Sequence, residues 1–109
     1  MGDVVIREVA HRLRSSIRDT DVLARFGGEE FIVLLPGASA KAAQTIAERM
    51  RAHVARTPIR TLQTKVPVTV SIGIGTIATT ETAQDAMIAA DAALYEAKSD
   101  GRNLVRCAA

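Results

Sequence analysis

The residues best suited to chemistry form one short run, Arg25-Phe26-Gly27-Gly28-Glu29-Glu30-Phe31. It joins two stretches with strand character, residues 21–25 and 30–35. Two glycines between strands let the backbone take positive φ and reverse in a tight hairpin. Both following residues are acidic, so the turn sets two carboxylates beside backbone that carries no side chains. Peptide N–H groups exposed there can meet a phosphate. Hard carboxylate oxygens can hold the Mg2+ that accompanies a nucleoside triphosphate. An ordinary solvated turn has the same composition, since Gly-Gly and Glu are common turn residues. The run alone leaves both readings open.

The elements that must hold this turn are legible on either side of it. Over residues 3–17, Val5, Ile6, Val9, Leu13 and Ile17 recur at helical spacing with Arg7, Glu8, Arg12 and Arg14 between them. This predicts a helix with one core-facing stripe. Asp3 suits its N-cap, and Arg14 and Arg18 suit its negative pole. The second hairpin arm, residues 31–35, is apolar at every position, which predicts an inner strand covered on both faces. Ser39 can cap a second helix that runs to Arg56 on a stripe of Ala43, Ile46, Ala47, Met50 and Val54. Residues 58–66 read as a minor edge hairpin. Residues 68–75 alternate as a strand with a small face of Thr69, Ser71 and Gly73, against which a helix or ligand can come close. The last helix spans 83–98, with Thr82 and Asp85 as a capping box and Gly101 at C′. Residues 104–106 suit a short final strand. The order helix, strand, strand, helix, strand, helix predicts one α+β domain over residues 1–109, an antiparallel-type sheet with helices packed on it.

Composition narrows the partners. A chain of 109 residues holds one core and no more. With no Trp, one Tyr and two Phe it lacks the stacking surface of a single-strand nucleic-acid platform. Its net charge of +2 comes from 14 dispersed basic residues, which argues against a duplex-binding face and leaves isolated Arg and Lys to meet a phosphorylated small molecule. The single cysteine, Cys107, permits no internal disulfide and has no evident task at the C-terminal end. No apolar run reaches membrane-spanning length and no signal-peptide pattern is present, so the cytoplasm is the expected location, with any membrane anchor belonging to a longer parent protein.

The end of the last helix carries a resemblance. Ala90-Asp91-Ala92-Ala93-Leu94-Tyr95-Glu96-Ala97-Lys98 is followed by Gly101-Arg102-Asn103. With the hairpin run and the strand Val68-Thr69-Val70-Ser71-Ile72-Gly73, this chain resembles the GGDEF family of diguanylate cyclases. The three motifs stand in the family's order and together cover essentially the whole chain. Glu29 occupies a position where the family has Asp or Glu. The resemblance implies a nucleotide-cyclase or palm-like fold. It also implies condensation of two GTP molecules into cyclic di-GMP with release of pyrophosphate, across a dimer of two such domains. By resemblance, Gly27 and Gly28 admit the nucleotide, and Glu29 and Glu30 hold Mg2+ or Mn2+. Glu29 also helps deprotonate the attacking hydroxyl, and Arg25 offsets charge at the α-phosphate. Lys98 and Arg102 contact the terminal phosphates. Asp3 contacts guanine with Ile6 near the base. Asp91 matches the family pattern but acquires no chemical role.

A second site follows from the same resemblance. Arg18-Asp19-Thr20-Asp21 has the residue types and the offset from Gly27 of the family's Arg-x-x-Asp inhibitory motif, which binds product cyclic di-GMP; Arg49 is the Arg expected to join it. Taken alone, Arg18 and Asp21 read equally as a local surface pair at a helix-to-strand turn. The chain also departs from the family. The strand that opens a full domain with a metal-binding Asp, the Phe-Lys segment after it and the Asn that reads guanine have no counterpart before Met1-Gly2-Asp3. That strand belongs in the middle of the sheet, so its absence is expected to leave neighbouring strands with unpaired backbone. It also makes cyclase activity of the 109-residue chain by itself doubtful. Met1 reads as an internal residue of a longer protein, a miscalled start, or the start of a truncated relative. The alternatives to an enzyme are an inactive relative that senses cyclic di-GMP through Arg18, Asp21 and Arg49, and a structural dimerisation module that needs neither site.

Overall fold

The computed structural model describes residues 2–77 and 82–108, and every candidate site residue falls within them. Three helices and six short strands follow in the order α1 (Asp3–Arg14), β1 (Val22–Arg25), β2 (Phe31–Leu34), α2 (Ala40–Arg56), β3 (Ile59–Arg60), β4 (Lys65–Val66), β5 (Ile72–Ile74), α3 (Ala83–Ser99) and β6 (Val105–Cys107). The α+β class expected from the order of elements is the class found.

The helical stripes form where the spacing puts them. Val5, Ile6, Val9 and Leu13 of α1 are buried, as are Ala43, Ile46, Ala47, Met50 and Val54 of α2. The two helices meet along these faces, with Ile59 and Ile74 completing the cluster. Val54 and Ile59 have at most 1% of their surface exposed, so they mark its densest part. Fully burying a side chain of this size contributes about 1.5–3 kcal/mol. Capping is also as anticipated in α2 and α3. The Ser39 hydroxyl accepts from the Ala42 N–H at 3.1 Å. Thr82 and Asp85 bond each other's backbone N–H at 3.2 and 3.0 Å, closing the capping box. The start of α1 differs. Gly2 is the N-cap and offers no side chain, while Asp3 is already helical, in the first turn, where its charge suits the positive pole. The helix stops at Arg14 rather than Ile17, though Ile17 still packs on the core.

The sheet is where the structure departs from expectation. Among the described residues the strands form three separate two-stranded ladders, β1–β2, β3–β4 and β5–β6. The first two are antiparallel and the third is parallel, with Ile72 opposite Val105. In the 68–75 segment only Ile72–Ile74 pairs as a strand, with Val105–Cys107. Val68 and Val70 nonetheless pack against the core. The predicted inner strand β2 pairs on one side only. Leu23 and Val33 turn toward the core, whereas Val22 and Leu34, opposite one another, are 49% and 55% exposed. Cys107 lies in β6, half-buried against the core.

The small face of β5 receives a helix. A Cβ at Gly73 would collide with the Ala90 carbonyl and with the backbone of Leu94, whose Cα would lie 2.8 Å away. One at Gly75 would strike the Ala86 carbonyl. Buried Ala86, Ala93 and Ala97 supply the complementary face of α3. Small residues on both sides thus set the depth at which α3, and the residues at its end, sit on the strand.

Candidate functional site

The hairpin tip is open. Register pairs Arg25 with Phe31, which leaves a five-residue loop, 26–30, between β1 and β2. The Phe26 N–H donates to the Glu30 carbonyl at 2.8 Å and closes that loop. The expected positive φ at Gly27 and Gly28 is not found; among the described glycines it occurs at Gly37 and Gly101. A five-residue loop can reverse the chain without left-handed residues, which a two-residue turn cannot. These glycines therefore supply room. A Cβ at Gly28 would meet nothing within 4 Å, and one at Gly27 only the Glu30 Cβ at 4.0 Å.

Glu29 and Glu30 are both exposed at this tip. Adjacent hard carboxylates with water access fit Mg2+, which takes one or two protein carboxylates and completes its shell with water and substrate phosphates. Among the described residues no third His, Cys, Asp or Glu joins them. Arg25 folds along the loop: its Nε donates to the Gly27 carbonyl at 3.2 Å and its Nη2 to that of Gly28 at 2.7 Å. The side chain thus braces the turn with one edge of its guanidinium.

Lys98 and Arg102 are exposed at the far end of α3. The helix closes with the Arg102 N–H on the Ala97 carbonyl at 3.0 Å and the Gly101 N–H on that of Lys98 at 3.5 Å, a Schellman arrangement with Gly101 at φ +121°. Asp3 is exposed at the start of α1, whereas Ile6 beside it is buried, so Ile6 offers little surface to a base. Asp91 is exposed on α3.

The base of the same hairpin is built differently. Arg18 and Asp21 pair end to side: Arg18 Nε lies 3.0 Å from both carboxylate oxygens and Nη2 2.6 Å from Oδ1. The Arg18 backbone N–H donates to Oδ2 at 2.8 Å, and Nη2 also reaches the Pro36 carbonyl at 3.0 Å. The Asp21 side chain has 0% of its surface exposed, against 41% for Arg18. The Arg18 side-chain bonds hold the Asp21 carboxyl below its ordinary range against the opposing cost of burial, with smaller help from the Arg18 backbone N–H and the charge of Arg49. Arg49 clamps the Ser16 carbonyl through Nε and Nη2 at 3.0 and 2.7 Å. The three residues singled out together are thus brought together. The pair is no loose surface contact, because its carboxylate is buried. Asp21 precedes β1 and Pro36 follows β2, so Arg18 ties both legs of the hairpin.

Two polar features escaped the sequence. Arg12 is 8% exposed and donates to the carbonyls of Val54, Thr57 and Pro58 at 2.9, 2.6 and 3.3 Å, satisfying groups left over at the end of α2. Its position was a signal: it stands seven residues after Val5 and three after Val9, on the buried stripe. The other is the pair of contacts made by Asn103, which the sequence offered only as part of the motif at the helix end. Its side chain accepts from Arg51 at 2.8 Å and its N–H donates to Ser71 Oγ at 3.1 Å. A shallow cleft of about 390 Å3 between α1 and β3 is lined by Val4, Arg7, Glu8, Arg12 and residues 58–60 and includes none of the candidate residues.

The geometry has counterparts among known proteins. The family described as "Diguanylate cyclase, GGDEF domain" matches residues 1–104. Diguanylate cyclase A of Treponema denticola is 46% identical over 105 residues, covering 95% of this chain and 28% of that protein. The solved structure of diguanylate cyclase SiaD of Pseudomonas aeruginosa, in complex with its activator SiaC, superposes with a TM-score of 0.89 at 36% identity, covering 95% of this chain and 40% of that one. The GGDEF domain of DgcB from Caulobacter crescentus, in complex with c-di-GMP, gives a TM-score of 0.89 at 34% identity over 95% of this chain and 61% of that one. The chain thus spans little more than a quarter of the first relative. Among the described residues, no helix is long and apolar enough to cross a membrane.

Proposed function

Because the chain belongs to the GGDEF domain family of diguanylate cyclases, we propose that it is the larger, C-terminal portion of a domain that condenses two GTP into cyclic di-GMP and pyrophosphate. In this reaction the 3′-hydroxyl of each GTP attacks the α-phosphate of the other, so two domains face each other with one nucleotide apiece. Phosphoryl transfer of this kind depends on in-line positioning and charge neutralisation more than on covalent help from the protein. Gly27 and Gly28 leave the loop backbone approachable. Glu29 and Glu30 hold the divalent ion, which when bound offsets polyphosphate charge and favours ionisation of the hydroxyl. Glu29 lies beside that hydroxyl. Arg25 braces the loop and adds positive charge near the α-phosphate. Lys98 and Arg102 hold the terminal phosphates, and Asp3 contacts guanine at the start of α1.

The observation that carries this reading is the tip itself: two adjacent exposed carboxylates next to two glycines with open space around them. The test is an incubation of the full-length protein with GTP and Mg2+, with products separated by chromatography. Cyclic di-GMP and pyrophosphate in a one-to-two ratio are expected. Hydrolysis to GDP, or no reaction from folded protein, overturns the enzyme reading.

A second reading is favoured by the hairpin base. Arg18 and Arg49 are both exposed and bond internally through Nε and Nη2, so among the described residues the Nη1 edge of each takes no partner, and the carboxylate that Arg18 holds is buried. Two guanidinium edges of this kind suit the phosphates and guanine edges of cyclic di-GMP, the ligand in the DgcB complex. Binding there accounts for product inhibition in an active parent and for sensing in an inactive one.

A further inference from the structure

The chain leaves α3 through three consecutive residues with positive φ: Gly101 at +121°, Arg102 at +64° and Asn103 at +53°. One left-handed residue suffices to end a helix, and Gly101 provides it without steric cost. The next two are not glycine. Each carries the steric cost of a left-handed backbone, smaller for Asn than for Arg. Such strain persists only where surrounding contacts impose it.

Those contacts converge on Asn103 from distant segments. Arg51 of α2 donates Nη1 to the Asn103 side-chain oxygen at 2.8 Å. Arg51 is itself held by Glu48, whose two oxygens each lie 3.0 Å from Nε. Ser71, just before β5, accepts the Asn103 N–H. Asn103 is half-buried while Arg102 is exposed. The turn therefore anchors one residue inward and presents its neighbour outward, and nothing in closing the helix requires that second left-handed residue.

We propose that Asn103 is a positioning residue: held by Arg51 and Ser71, it fixes the left-handed backbone from which Arg102 presents its guanidinium to the terminal phosphates of the nucleotide. This rests on the assignment of Arg102 as a phosphate contact. Glu48 and Arg51 of α2 belong to the same device, one step further back. A flexible turn would let Arg102 sample many directions, and each phosphate bond would then cost ordering entropy on binding.

The experiment uses the full-length protein with Mg2+ and two probes titrated by calorimetry: 3′-deoxy-GTP, which keeps the triphosphate but has no attacking hydroxyl, and GMP, which lacks the terminal phosphates. Arg102→Ala is expected to weaken 3′-deoxy-GTP by about 10-fold or more, the loss of a charge-assisted bond, and to leave GMP unchanged. Asn103→Gly keeps the backbone permissive and removes only the side-chain anchor. It is expected to weaken 3′-deoxy-GTP by about 3- to 10-fold, with no effect on GMP and no further loss when combined with Arg102→Ala. Asn103→Asp, which still accepts from Arg51, restores most of the affinity. If Asn103→Gly is not folded, Arg51→Leu carries the same test. Loss in Arg102→Ala with unchanged affinity in Asn103→Gly overturns the positioning role alone. Equal loss of both probes in Asn103→Gly reduces Asn103 to general support and also overturns it. Unchanged 3′-deoxy-GTP affinity in Arg102→Ala removes the phosphate assignment itself, and the proposal with it.

Discussion

The two ends of one hairpin make a useful contrast. At the tip, two carboxylates stand exposed beside glycines with open space where a side chain would be, and the loop is closed by a backbone bond and braced by Arg25. At the base, a single carboxylate, Asp21, is wholly buried and bonded by a guanidinium and a backbone N–H. The same four-residue strands connect them. On the proposed function, the tip takes a metal ion and a polyphosphate and so needs open access. On the second reading, the base presents cations to a ligand and so gains from having them fixed beforehand. Two short motifs that each combine an Arg with acidic residues thus lead to opposite energetic designs.

The largest expected effect separates the ends most clearly. Glu30→Gln in the full-length protein is expected to lower cyclic di-GMP synthesis by about 1,000-fold, since a carboxamide cannot supply the charge the ion requires. Because Glu30 is exposed, the unfolding free energy is expected to change by no more than about 0.5 kcal/mol. Near-normal turnover would show that the tip is an ordinary turn.

The base is expected to respond in both binding and stability. Arg18→Ala is expected to weaken cyclic di-GMP by about 10-fold or more in a calorimetric titration, from lost charge-assisted bonds. It also leaves Asp21 buried without its main partner, so the melting temperature is expected to fall, as it does not for Glu30→Gln. Equal affinity for wild type and variant would remove the ligand site and leave a purely structural pair.

Acid distinguishes the ends more gently. The Asp21 carboxyl titrates below its ordinary value in the folded protein, chiefly through its bonds from Arg18. A depressed carboxyl contributes stability above its unfolded value, and this is lost as pH falls through the folded one. Wild type is therefore expected to lose stability below about pH 4 more steeply than Asp21→Asn, whose neutral amide lacks this dependence and is less stable at pH 7. Parallel melting curves of the two proteins between pH 2 and pH 7 would show that the pair contributes nothing.

The smallest effect tests what the tip glycines are for. Gly28 has neither positive φ nor a neighbour within 4 Å of an added Cβ. Gly28→Ala is expected to alter stability by less than about 0.5 kcal/mol while raising the KM for GTP, because the methyl group occupies space the nucleotide approaches. A large loss of stability would mean that the loop needs glycine for its conformation after all.

Much of this molecule was decided within short windows of sequence. Stripes at three- and four-residue spacing defined α1 and α2. Ser39 and the Thr82–Asp85 pair marked where helices begin, and the apolar arms around Gly27 and Gly28 marked a hairpin. The stripes and caps close within about four residues and the hairpin within about twelve, so residue types in a short window specify them. The candidate site was legible as a set of residue types for the same reason. What tertiary structure decided is what joins distant segments. Arg12 meets carbonyls 42 to 46 residues away, and Asn103 meets an Arg 52 residues away. The parallel pairing of β5 with β6, the burial of Asp21 and the approach of α3 to Gly73 are of the same kind. None has a local period or cap to announce it. Each exists because packing the apolar faces brings particular backbone and polar groups together out of water, where they must be satisfied.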